Sequence, residues 1–72
     1  MSKIDFIYKF HFVDEDGETF VVEFTRRVSD EFSAASYAFD WLNTFHDDSE
    51  FCILINVYEY DNPNNIILNV MR

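Results

Sequence analysis

The sequence predicts an α+β domain of ββαββ layout, with a four-stranded antiparallel sheet of order 2-1-3-4 and one helix packed on one face. Three observations predict it. Two neighbouring segments carry apolar side chains at every second residue, a single segment follows with apolar spacings of three and four, and two further extended segments flank the turn Asp61-Asn62-Pro63-Asn64-Asn65. The chain of 72 residues has room for one domain, residues 1–72, and its core must be dense because so short a chain buries only about 60 % of its unfolded surface. Nine Phe, four Tyr and one Trp supply that density, since each buried ring removes about 150–250 Å² from water.

From Ile4 to Phe12 the even positions are Ile4, Phe6, Tyr8, Phe10 and Phe12, a period of two that makes a strand with one strongly buried face. Thr19 to Arg27 repeats it with Phe20, Val22 and Phe24. Cross-strand neighbours share a face, so even must pair with even. Pairing Asp14 with Glu18 does this and sets Phe12 opposite Phe20, Phe10 opposite Val22 and Tyr8 opposite Phe24. The loop left over is Glu15-Asp16-Gly17, with the chain's single glycine where a type I turn and G1 bulge need positive φ.

Ser29 reads as the N-cap of the helix, with Asp30 and Glu31 in the first turn. Helical spacing then turns Phe32, Ala35, Ala38, Phe39, Leu42 and Phe45 toward the core. The helix closes at Phe45 or His46. Phe51 to Tyr58 is apolar on both faces, as a central strand should be. Ile66, Leu68 and Val70 form the last strand, facing the core. A right-handed crossover makes strand 3 parallel to strand 2; setting strand 3 beside strand 1 gives the antiparallel order 2-1-3-4 and puts the two most apolar strands in the centre.

The single Cys52 permits no intramolecular disulfide and suits a reducing compartment. Met1-Ser2-Lys3-Ile4-Asp5 lacks the apolar stretch of a secretory signal, and no run is long enough to span a membrane. A cytoplasmic protein is expected. The net charge is −9, from fourteen acidic and five basic residues. That balance disfavours direct binding to nucleic acid, whose affinity comes from Lys and Arg displacing counterions, and equally to anionic membranes. It favours a basic protein partner, including a nucleic-acid-binding enzyme or complex. An acidic surface also serves solubility.

The topology collects the charge. Asp14, Glu15, Asp16 and Glu18 share one end of the sheet with Asp47, Asp48 and Glu50, half of the fourteen acids, while Lys3, Arg26 and Arg27 fall at the other end, diluted there by Asp30, Glu31, Glu59 and Asp61. Seven carboxylates on adjacent loops can imitate a stretch of phosphate backbone. A second surface is the helix flank, where Tyr37 and Trp41 lie four apart, beside Asp30 and Ala34; they either stay exposed as interface anchors or fold over the sheet edge to finish the core. A third is the open sheet face, with Ile7, Val13, Val21, Leu54, Tyr58, Ile67 and Met71 among Lys9, His11, Glu23, Thr25 and Asn56. Such a face suits a homodimer or a foreign protein.

No catalytic constellation is legible. His11 and His46 have no nucleophile or ligand at a recognised spacing, Cys52 begins a core strand, and one glycine cannot build a phosphate-cradling loop. Asp14-Glu15-Asp16-Gly17-Glu18 lacks the spacing of a calcium loop. Neither metal nor cofactor is expected. In size, charge and lack of catalytic motifs, the whole chain resembles the small inhibitors that bacteriophages encode against host defences, anti-CRISPR proteins and DNA mimics among them, without matching a residue pattern. The resemblance implies a steric and electrostatic inhibitor of a nucleic-acid-binding target in the host cytoplasm, with the acidic end supplying the field and Tyr37 and Trp41 as anchors. The alternative is an accessory subunit that assembles through the open sheet face.

Overall fold

Alternating apolar residues make strands β1 (Ile4–Asp14) and β2 (Thr19–Val28). The computed structural model, which describes residues 3–45 and 50–71, continues with helix α1 (Glu31–Phe45) and strands β3 (Glu50–Glu59) and β4 (Ile66–Met71). The four strands form one antiparallel sheet in the order β2-β1-β3-β4, with α1 on one face. The architecture is the one the pattern predicts.

The first hairpin has the register derived from face-matching: Tyr8 pairs with Phe24, Phe10 with Val22 and Phe12 with Phe20. The Asp14 amide donates to the Glu18 carbonyl at 2.9 Å and the Gly17 amide to the Asp14 carbonyl at 3.0 Å. Gly17 has φ of 83°. Open space surrounds the position a Cβ would take there, so backbone conformation alone calls for glycine.

The core is built on β1. Phe6, Tyr8 and Phe10 are fully buried and Phe12 nearly so, joined by Ile55 and Val57 of β3 and by Ala34, Ala38 and Leu42 of α1. Rings do most of the filling. Trp41 stacks on Phe10 at 4.3 Å, Tyr8 on Phe24 at 5.1 Å and Phe12 on Phe20 at 5.3 Å, while Tyr37 meets Tyr8 edge-on at 5.5 Å. The Tyr8 hydroxyl donates to the Ala34 carbonyl at 2.9 Å, which satisfies a buried polar atom and ties the central strand to the helix.

Helix phase is where the structure corrects the sequence reading. The inward stripe is Ala34, Tyr37, Ala38, Trp41 and Leu42, whereas Phe32 is 82 % exposed and Phe39 42 %. The reason is volume. Phe6, Tyr8 and Phe10 already fill the space above the sheet centre, so the helix meets them with two alanines and lays its flat rings over β2. Its cap also differs by one residue. Asp30 Oδ1 accepts from the Ser33 amide at 2.7 Å, so Asp30 is the N-cap, with Ser29 Oγ donating to its other oxygen at 3.4 Å. This amide hydrogen bond holds the Asp30 carboxyl below its ordinary pKa.

Two irregularities reset the faces of β3 and β4. Against β1 the pairing steps from His11–Leu54 to Phe12–Cys52, passing over Ile53 and turning Cys52 into the core. Against β3 it steps from Val57–Leu68 to Tyr58–Ile66. The extra residue, Ile67, packs on the core beside Leu68, and Ile66 is half exposed opposite Tyr58. The expected inward Ile66 and outward Ile67 are thus exchanged, because a bulge shifts side-chain parity by one. The Asn65 amide closes this corner by donating to Glu31 at 3.0 Å and to Glu59 at 3.1 Å.

Two outcomes follow. Gly17→Ala forces a Cβ into left-handed backbone and should lower unfolding free energy by about 1–2 kcal/mol, read from urea denaturation, with no loss of sheet signal under native conditions. Burial pushes the Tyr8 hydroxyl pKa up to about 12, against an ordinary 10.0, with the Arg26 charge opposing. A group raised in the folded state adds stability below its unfolded pKa and loses it as pH climbs through the folded one. Stability should therefore fall between about pH 10 and 12, and less steeply in Tyr8→Phe.

Candidate functional site

The acidic turn sits at the end of a long body. The molecule measures 44 × 23 × 17 Å, and an eleven-residue strand such as β1 runs about 36 Å at about 3.3 Å per residue. At the hairpin tip, Asp14 Oδ1 accepts from the Asp16 amide at 3.0 Å and the Glu18 amide at 2.9 Å. Asp14 therefore holds the turn in shape, an Asx-type role. Glu15, Asp16 and Glu18 are exposed. Glu50 pairs with Asp14 across the β1–β3 ladder, so the start of β3 comes to the same end, as expected. Asp47, Asp48 and His46 lie outside the described residues.

Three of the described cations, Lys9, Arg26 and Arg27, are engaged away from the tip. Arg27 Nε donates to Asp5 Oδ1 at 2.9 Å, which lowers the Asp5 pKa and raises that of Arg27. Arg26 lies over the Tyr37 ring at 3.9 Å. Lys9 lies 3.5 Å from Glu23 and 5.5 Å from the centre of the Tyr58 ring; Tyr58 first and Glu23 second raise its pKa. Both ion pairs found among the described residues therefore sit on the sheet, away from the tip, and the tip's field is not cancelled locally.

Tyr37 and Trp41 are placed differently from the acids. Both are half-buried against Phe24, with ring centres 6.2 and 5.5 Å from it. Of the two arrangements the sequence allowed, the structure has the one in which they finish the core over β2. One exposed edge of Tyr37 does border a shallow groove of about 300 Å³ between α1 and β2, shared with Arg26, Phe32 and Asp40. Sequence spacing missed this groove because it assigned Phe32 to the core.

The open sheet face carries three cross-strand rows, each running β2-β1-β3-β4: Thr25–Ile7–Tyr58–Ile66, Glu23–Lys9–Asn56–Asn69 and Val21–His11–Leu54–Met71. Thr19, Val13 and Phe51 extend it toward the tip. Asn56 donates to Asn69 at 3.4 Å. Ile66 and Phe51 are thus further apolar members, and Ile67 is not one. Cys52 is buried on the opposite face, its Sγ 3.6 Å from the Leu54 carbonyl. Among the described residues no cluster of His, Cys, Asp or Glu has the arrangement of a metal site, and no helix is long and apolar enough to cross a membrane.

The division of labour at the tip has a measurable consequence. Replacing Glu15, Asp16 and Glu18 by Gln, Asn and Gln removes like-charge repulsion while leaving Asp14 to hold the turn. The melting temperature of this triple variant should equal or exceed that of the unmodified chain, whereas Asp14→Ala should lower it; calorimetry of both reads the difference. No protein family, curated protein or solved structure matches this chain.

Proposed function

We propose that this domain is a non-catalytic binding protein that places its acidic end on the basic, nucleic-acid-binding surface of another protein and so blocks it. The observation that carries the reading is the construction of the tip. Asp14 stiffens the turn, and Glu15, Asp16 and Glu18 project from it with their charge unopposed. Exposed like charges held together cost stability, and a rigid array of them loses little conformational entropy on binding. The shape also fits, because a body 23 × 17 Å in section is comparable in thickness with a duplex, whose opposed grooves are about 8.5 and 7.5 Å deep.

In this reading the chain brings Glu50, at the start of β3, to the same end, and Asp47 and Asp48 precede it in the sequence. Tyr37 and Trp41 contribute by fixing the helix on the sheet, and Tyr37 reaches a partner only along its exposed edge. The mechanism is exclusion: the acids meet Arg and Lys that would otherwise hold phosphates, and the bulk of the sheet denies access. An inhibitor of the kind phages use against host defences works in this way, in the host cytoplasm.

The test is capture from a bacterial lysate on the unmodified chain and on the triple variant with Glu15, Asp16 and Glu18 neutralised, each at low and high salt. The expected result is a nucleic-acid-binding protein held only by the unmodified chain, released by salt and displaced by a DNA or RNA duplex. Retention of the same proteins by both baits, or binding indifferent to salt, would exclude the acidic end as the binding surface.

A further inference from the structure

The face opposite the helix differs from the rest of the surface in charge. The chain carries −9 overall, yet among the described strand residues the charged groups on this face are Asp5 paired with Arg27 and Glu23 paired with Lys9, a sum of zero. Around them stand Ile7, Leu54, Tyr58, Ile66 and Met71, and no described element covers them. We propose that this face binds a second copy of the chain, forming a twofold dimer through stacked sheets. The inference is independent of the acidic-end reading.

Charge complementarity selects the occupant. A copy approaching with any other surface brings uncompensated carboxylates, so the neutral face is where two such chains can meet. The row order is self-complementary as well. A twofold axis parallel to the strands lays β2 over the partner's β4 and β1 over the partner's β3. Glu23 and Lys9 then meet the partner's Asn69 and the partner's Asn56, amides that can both donate and accept, and no like charges face one another. In the neighbouring rows Ile7 meets the partner's Tyr58 and Val21 the partner's Met71. Sheets stacked in this way keep their strands within about 30° of alignment.

The area suffices. At about 4.8 × 6.7 Å per residue, the three rows that cross all four strands and the two shorter rows, Thr19–Val13–Phe51 and Arg27–Asp5, make a face of about 550 Å². Two copies therefore bury about 1,100 Å², above the roughly 1,000 Å² that a specific interface needs. This arrangement brings the two acidic tips to the same end, so added salt should screen their repulsion and tighten the dimer, the opposite of its effect on a complex made through the tip.

Sedimentation equilibrium of the full chain at low and high salt tests the proposal, alongside Leu54→Lys, Met71→Lys and the triple tip variant. The expected result is a species of twice 8.6 kDa, as tight or tighter in high salt and retained by the tip variant. Each lysine should weaken it at least about tenfold, because a buried unpaired ammonium is costly. Met71 is 83 % exposed, so its replacement cannot act by unfolding the chain, and circular dichroism checks Leu54→Lys. A monomer under all conditions overturns the proposal and leaves the face to a different protein or to solvent. A dimer indifferent to both lysines, or one dissolved by salt, overturns it too. Neither result touches the lysate experiment, which turns on Glu15, Asp16 and Glu18.

Discussion

Everything in this domain is arranged around one row of rings. Phe6, Tyr8, Phe10 and Phe12 on the helix side of β1 are almost wholly out of water, and each neighbouring element is shaped by what they leave free. Phe24 and Phe20 stack beside them on β2, Ile55 and Val57 flank them on β3, and Ala34 and Ala38 of α1 close over the top. At about 25 cal/mol per Å² of buried apolar surface, four such side chains provide a large part of the driving force. The Tyr8 hydroxyl on Ala34 adds direction to this otherwise non-directional packing.

That dependence explains what could be read from the chain and what could not. The hairpin register was legible because it rests on parity and one glycine, both local: Gly17 is at φ of 83° where the face-matching argument needs it. Strand order followed from the apolar content of β1 and β3. Helix phase did not, since Phe32 and Phe39 look like core residues by type and are excluded by rings contributed from another strand. The bulges at Ile53 and Ile67 were hidden for a similar reason. A one-residue slip has no composition signal in an apolar run such as Cys52-Ile53-Leu54-Ile55, and only the pairing partner shows it.

The candidate sites were legible to different depths. Topology alone predicts seven acids at one end; the structure puts Asp14 and Glu50 side by side there and leaves Glu15, Asp16 and Glu18 exposed beside them, while Asp47 and Asp48 lie outside the described residues. It also separates roles that sequence could not separate, giving Asp14 to the turn and leaving Glu15, Asp16 and Glu18 outward. Tyr37 and Trp41 have the composition of interface residues and the position of core residues. Their rings pack on Phe24 of β2, an edge strand, with centres 6.2 and 5.5 Å from it. The neutrality of the open face is a property of pairing across strands, Lys9 with Glu23 and Arg27 with Asp5, and becomes visible only once the register is known.

The central place of β1 also shapes the route by which the chain reaches this structure. Its pairing with β2 spans a three-residue loop and can form early, on the microsecond scale of hairpins. Its pairing with β3 must wait until some forty residues, α1 among them, have been looped back, and such non-local closure slows folding. In the interval the nascent hairpin presents six aromatic rings, Phe20 and Phe24 among them, and two unpaired strand edges, the conditions under which chains pair with one another instead. A charge of −9 on 72 residues keeps those half-formed hairpins apart. The acidity that marks the surface of the finished domain thus protects its unfinished core.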